Sequence, residues 1–232
     1  MNTVSAADGE DPYRIDPEAA AELLAPAPWG RFVVLGDGFA RGADTARGRA
    51  GGPWADRVAT ALRATRPDLA YVNLARRDAV AAHVRAGQLG RALAFRADLA
   101  AVAAGGSDVL RDSFDADVTE AELARIVGPL RDAGVEVALL SPFAAHRAPA
   151  GQPAPADLRQ GRLRLLAERV RGLALRTGAV HVDLSVHPAN SDADIRDRAD
   201  REVTPRGHAV AGAAVIRRLG VHLGVNGGSS VR

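Results

Sequence analysis

Short apolar runs alternate along this chain with longer stretches whose apolar positions recur every three or four residues. Residues 31–36 (RFVVLG) form the first run, rich in β-branched and aromatic side chains and closed by glycine. Residues 71–74, 99–104, 135–140 and 180–184 repeat the pattern, predicting five strands in all. Between the strands the period changes. Residues 53–65 place Trp54, Val58, Ala61 and Leu62 at helical spacing, and further helices are expected over 79–95 and 157–176. Thr119 and Glu122 have the spacing of a capping box, which predicts a helix from there to Asp132. Asp16-Pro17 is an N-cap and first-turn pair that opens a helix to Leu24, and Pro205 opens the last helix, expected to end near Gly220. A loop rich in Pro and Ala spans 142–155, and the Gly- and Ser-rich tail from 224 is expected to fray.

Strands alternating with helices imply parallel pairing through helical crossovers, hence an α/β fold. The expected architecture is a three-layer α/β/α sandwich around a parallel sheet of about five strands, flavodoxin-like in plan. No break in composition divides the chain, so 11–222 is expected to be one domain, with 1–10 and 223–232 as flexible termini. In such sheets the ligand sits at the carboxyl ends of the strands. Those ends are Gly36-Asp37-Gly38, the stretch 73–78, the stretch 105–108, Ser141-Pro142 and the segment after Leu184.

Composition narrows the chemistry. Cys is absent, which removes disulfides and thiolate chemistry. Lys is absent too, so all 30 basic residues are Arg and no lysine Schiff base can form. The net charge is only +2, and Arg alternates with acid as at Arg125, Arg131, Asp132 and Glu136, so the solvated helix faces offer no one-sided stripe for nucleic acid. No apolar run is long enough to cross a bilayer, and the polar, acidic start lacks the order of a secretion signal, so a cytoplasmic protein that acts on a small molecule is expected. His83 and His146 have no metal-type spacing with a partner, and neither a metal nor a cofactor is expected.

The strand ends carry a family likeness. VLGDGFARG after the first strand, YVNLARRD after the second, AAGGSD after the third and PRGH before the last helix resemble the blocks of the SGNH (GDSL) hydrolases, in order and spacing. The stretches PWADRVATALRATRPDLAYVNLA and AGQLGRALAFRADLAAVAAGGSDVLR extend the likeness from about Asp11 to Gly220. The resemblance implies the sandwich fold and a cleft at those strand ends. It also implies a serine nucleophile third in the first block, where this chain has Gly38. The glycine whose N–H serves the oxyanion hole is matched by Asp78, and the oxyanion-hole asparagine by Ser107. Counting back from Arg206-Gly207-His208 puts Ala199 at the catalytic aspartate and Glu202 at the catalytic histidine, with Asp200 one slip away; His208 matches a later, non-catalytic histidine.

Acyl transfer needs an oxygen nucleophile, a base for its proton and donors aimed at the oxyanion. Gly38 cannot be acylated, Asp78 brings negative charge to the oxyanion side, and Glu202 cannot replace a neutral imidazole. Serine-ester hydrolysis by the family mechanism is therefore not expected. The exchanges instead add carboxylates at two strand ends. Clustered acids raise one another's pKa, and such a pair can both donate and accept a proton. Asp78 and Glu202 are thus the candidate catalytic pair for cyclisation, dehydration or isomerisation of a small organic molecule, expected in a biosynthetic pathway of a bacterium whose GC-rich genome the Arg- and Ala-rich, Lys-free composition suggests. Asp37, Gly38, Arg77, Ser107, Asp108 and His187 are the candidate binding residues. The alternatives are a non-catalytic protein that binds a ligand or partner, and a hydrolase using water activated by a carboxylate. Each acid also has a structural reading: Asp37 and Asp108 as turn or cap residues, Asp78 as cap of a helix at Ala79, and Glu202 as partner of Arg198 or Arg206.

Overall fold

The computed structural model describes residues 11–42, 52–144, 155–192, 194–197 and 202–228. The expected terminus 1–10, the last four residues (229–232) of the expected terminus 223–232, most of the Pro- and Ala-rich loop, His146, Arg198, Ala199 and Asp200 lie outside them. Five strands, β1 (Arg31–Gly36), β2 (Ala70–Asn73), β3 (Leu99–Ala103), β4 (Glu136–Ser141) and β5 (Val180–Asp183), form one sheet in the order β2-β1-β3-β4-β5, every neighbouring pair parallel. Val34 stands opposite Asn73 on one side and Ala101 on the other, so the strand order reverses at β1. That reversal leaves a crevice beyond the carboxyl ends of β1 and β3.

The period-two alternation of the strands divides the core into two layers. Phe32, Val34, Leu99 and Ala101 pack with α1 (Pro17–Leu24), α3 (Trp54–Thr65) and α9 (Pro205–Gly228). Val33, Leu35, Ala100 and Val102 pack on the opposite face with α7 (Ala116–Asp132), α8 (Pro155–Thr177) and the helix that starts at Ala81. The fold is the expected three-layer sandwich.

Several boundaries differ from the sequence expectation, each for a local reason. Helix α7 starts at Ala116, one turn before the Thr119–Glu122 spacing, because Asp115 accepts the N–H groups of Asp117 and Val118 at 2.8 and 3.0 Å. Thr119 is then an interior, buried residue whose hydroxyl donates to the Asp115 carbonyl, and Glu122 forms ion pairs with Arg85 and Arg125. The helix expected from Ala79 starts at Ala81 and has three parts: α4 (Ala81–Val84), a π-helical turn (Arg85–Leu89) and α5 (Gly90–Ala94). Finally, α9 continues to Gly228, past the expected stop at Gly220 and into the stretch expected to be a flexible tail, with Leu223 packed against the core.

Candidate functional site

Close approach of β1 and β3 shapes the crevice. A Cβ at Gly36 would sit 2.0 Å from the Ala103 carbonyl oxygen, so only glycine fits where β1 ends. Buried Gln88, set by the π-helical turn, accepts the Gly36 N–H at 2.8 Å and donates to its carbonyl at 2.9 Å. Asp37 follows immediately. Its carboxylate accepts the N–H of Phe39 at 3.1 Å and of Ser107 at 3.2 Å, tying the loop after β1 to the loop after β3. It is 4 % exposed, and burial pushes its pKa up to about 6 against the lowering effect of those N–H groups.

Above this tie lies a cavity of about 220 Å³. Buried Asp37, Leu163 and His208 form its inner wall, and exposed Arg77, Asp78, Leu110 and Glu202 its outer edge. Gly38, Ser107, Arg159 and Arg196 also line it. Six of the eight sequence candidates therefore border one space. A side chain at position 38 would have room, since a Cβ there meets nothing within 4 Å.

Two candidates lie elsewhere, and their carboxylate and ring explain why. Asp108 Oδ2 accepts the Ala81 N–H at 2.9 Å, so this acid caps the α4 start; burial raises its pKa. It thereby takes the role that the sequence offered to Asp78. His187 Nδ1 accepts the Ala189 N–H at 3.2 Å, capping the 3-10 turn Pro188–Ser191, and its ring packs edge-on against Tyr13 and Phe143. Burial lowers its pKa. Neither residue lines the cavity.

Both carboxylates of the expected working pair line the cavity, in different surroundings. Glu202 accepts a hydrogen bond from the Arg77 guanidinium across the outer edge, and Arg198, one of its expected partners, lies outside the described residues. Arg206 is engaged by Asp11, Asp192 and Asp194. Asp78 itself is exposed, sits in the left-handed region at φ +55°, and its carboxylate has no hydrogen bond or ion pair among the described residues.

Sequence reasoning missed three residues of the inner cavity. Arg196 donates to the Phe143 carbonyl at 2.9 Å; burial first, then the neighbouring Arg159, lower its pKa to about 10, with Asp37 opposing. Arg159 comes from α8, which carries no motif. His208 is the histidine of the PRGH block. It stacks on Phe39 at 5.7 Å, its Nδ1 takes the Trp54 N–H in a long 3.5 Å contact, and burial lowers its pKa to about 4. It is neutral at physiological pH. Among the described residues no group of three or more His, Asp or Glu is placed to hold a metal ion, and no helix is long and apolar enough to cross a membrane.

The fold is a parallel α/β sandwich with its cavity at the strand-order reversal. Residues 34–227 match the GDSL-like Lipase/Acylhydrolase family, and the chain belongs to that family. Solved structures agree on the fold. A catalytic mutant of Axe2, an acetylxylan esterase from Geobacillus stearothermophilus, superposes with a TM-score of 0.68 at 20 % identity, covering 82 % of this chain and 94 % of that one. LAE5, an alpha/beta hydrolase enzyme from the metagenome of Lake Arreo, gives 0.66 at 20 % identity over 82 % and 95 %. The lipase/acylhydrolase from Enterococcus faecalis gives 0.64 at 17 % identity over 83 % and 96 %. No curated protein matches the chain in sequence.

Proposed function

We propose that this member of the GDSL-like family binds a small organic molecule in the cleft without forming an acyl-serine, and that it is not a serine esterase. Gly38 carries the reading: it occupies the first-block position where the family resemblance requires the nucleophile, and it borders the cavity with open space in front of it. The other polar groups support binding over proton exchange. Glu202 is held by Arg77, Asp37 uses its carboxylate on two loop N–H groups, and His208 is too weak a base to be charged near neutral pH. The purified protein should therefore neither turn over short activated esters nor take up a fluorophosphonate label. Steady ester turnover, or a label found on Ser107, would overturn the reading.

Asp78 keeps an acid/base reading open, because its carboxylate lines the cavity with no partner among the described residues. In that reading Asp78 alone exchanges the proton and Glu202 holds Arg77. Asp78→Asn keeps shape and hydrogen-bonding capacity while removing the titrating group. If a converted ligand is found, this variant should bind it as before and lose turnover; unchanged turnover would dismiss the acid/base role.

A further inference from the structure

We propose that the ligand of this cleft is a small carboxylate with an apolar body, its anionic end seated between Gly38 and the guanidinium groups of Arg159 and Arg196. The inference rests on the ligand-binding reading above and narrows it to a charge and a shape. The shape comes from the walls. Phe39, Leu110, Pro142, Leu163 and Val203 give the cavity an apolar side, and Leu110 carries that side outward with 58 % of its surface exposed. An apolar body has a surface to cover there. The open space before Gly38 lies in the same cavity, and a Cβ placed there meets nothing within 4 Å. Where an acyl-enzyme cannot form, a free acid can occupy that space.

The charge comes from the polar side. Besides Arg77 at the outer edge, Arg159 and Arg196 line the cavity, and the charged form of Arg196 is disfavoured by burial and by Arg159, so a negative group arriving between them offsets both effects. Arginine also presents donors in a fork that matches the two oxygens of a carboxylate. The acids of the cavity compete weakly. Glu202 is bonded to Arg77, Asp78 stands at the exposed outer edge, and Asp37, tied to the loop N–H groups, carries a proton over a wider pH range than an ordinary carboxylate. An anion seated there would push Asp37 further toward its neutral form, removing the remaining repulsion. A neutral ester or amide of the same shape gains none of this.

The test is calorimetric titration of the full chain near neutral pH with butyrate, hexanoate and benzoate, each beside its primary amide. The amide keeps the shape and loses the charge. The acid should bind at least about tenfold more tightly than its amide, and the difference should shrink as salt rises from about 0.05 to about 0.5 M. Gly38→Leu fills the space without touching the arginines, so it should abolish binding of the acid while leaving the melting temperature within about 2 °C of wild type. Arg159→Met should remove most of the preference for acid over amide, and it provides a second variant if Arg196→Met fails to fold. Equal binding of acid and amide would overturn the carboxylate assignment while the binding reading stands. Absence of binding by every acid and amide in the set would overturn both.

Discussion

Position 78 shows how a family frame constrains one residue. The backbone there is left-handed at φ +55°, a conformation that suits the glycine implied by the family resemblance and that aspartate adopts at modest cost. Asp78→Gly should be neutral or stabilising by up to about 1 kcal/mol, the eased backbone being partly offset by a freer unfolded chain. Asp78→Val should cost more than about 1 kcal/mol, because a β-branched side chain crowds that conformation. Urea denaturation of the two variants measures both, and equal destabilisation would show that the backbone there relaxes. Position 38 makes the complementary case. Gly38→Ser has room for its side chain, yet it should not create an esterase, because the position aligned with the catalytic histidine is Glu202 and that residue is bound to Arg77. Turnover of an activated ester by Gly38→Ser well above wild type is the result that would contradict this.

At the scale of elements, the strands were the most legible part, because a buried strand is a short unbroken apolar run and helices are not. β1 has the predicted bounds, and the others are shifted or shortened by a residue or so. Helix starts were less legible where two capping signals compete: Asp115 prevails over Thr119 because its carboxylate reaches two N–H groups. The candidate site divides in the same way. Residues at strand ends could be found by counting from glycines, whereas Arg159 on α8 and Arg196 in a loop are brought in by tertiary packing that leaves no local pattern. The π-helical turn was invisible for a similar reason, since one extra residue per turn barely alters a helical period. Its purpose is legible in the structure: it delivers the Gln88 amide to both backbone groups of Gly36. Gln88→Leu, which fills the space but leaves a buried N–H and carbonyl unsatisfied, should lower the unfolding free energy by about 2–4 kcal/mol. A loss below about 1 kcal/mol in a urea titration would mean that water or a neighbouring group replaces the amide.

Across the whole molecule, two buried groups impose opposite pH dependences. Asp37 holds its proton up to about pH 6 in the native state, against 3.8 ordinarily, so its contribution to stability is complete below pH 3.8 and is lost as pH rises through 6. His208 resists protonation down to about pH 4, against 6.5 ordinarily, so its contribution is complete above 6.5 and is lost as pH falls through 4. Each gap corresponds to about 3 kcal/mol, and the two offset one another over most of the interval. Asp37→Asn leaves His208 unopposed. The variant should gain about 3 kcal/mol of unfolding free energy between pH 4 and pH 6.5 relative to the change seen in wild type, as read by urea denaturation at each pH. Parallel profiles for the two proteins would place the titrating groups elsewhere.

The cluster around Arg206 gives the chain a long-range dependence. This one guanidinium, near the start of α9, is bonded to Asp11 at 2.7 Å, Asp192 at 2.9 Å and Asp194 at 2.7 Å; burial opposes its charge, yet the hydrogen bonds it donates to Asp11 and Asp192 raise its pKa. Asp11 lies nearly two hundred residues earlier, and the same early segment is gripped by Arg217, which donates to the carbonyls of Tyr13 and Arg14. Asp192 and Asp194 come just before Arg196, which lines the cavity. The early residues thus work as a tether for a wall they never touch. A protease that clips the chain between Asp11 and Asp16 would take from the sandwich only the edge packing of Tyr13 and Ile15, and the damage would surface at a distance, as quicker escape of the ligand proposed for the cleft.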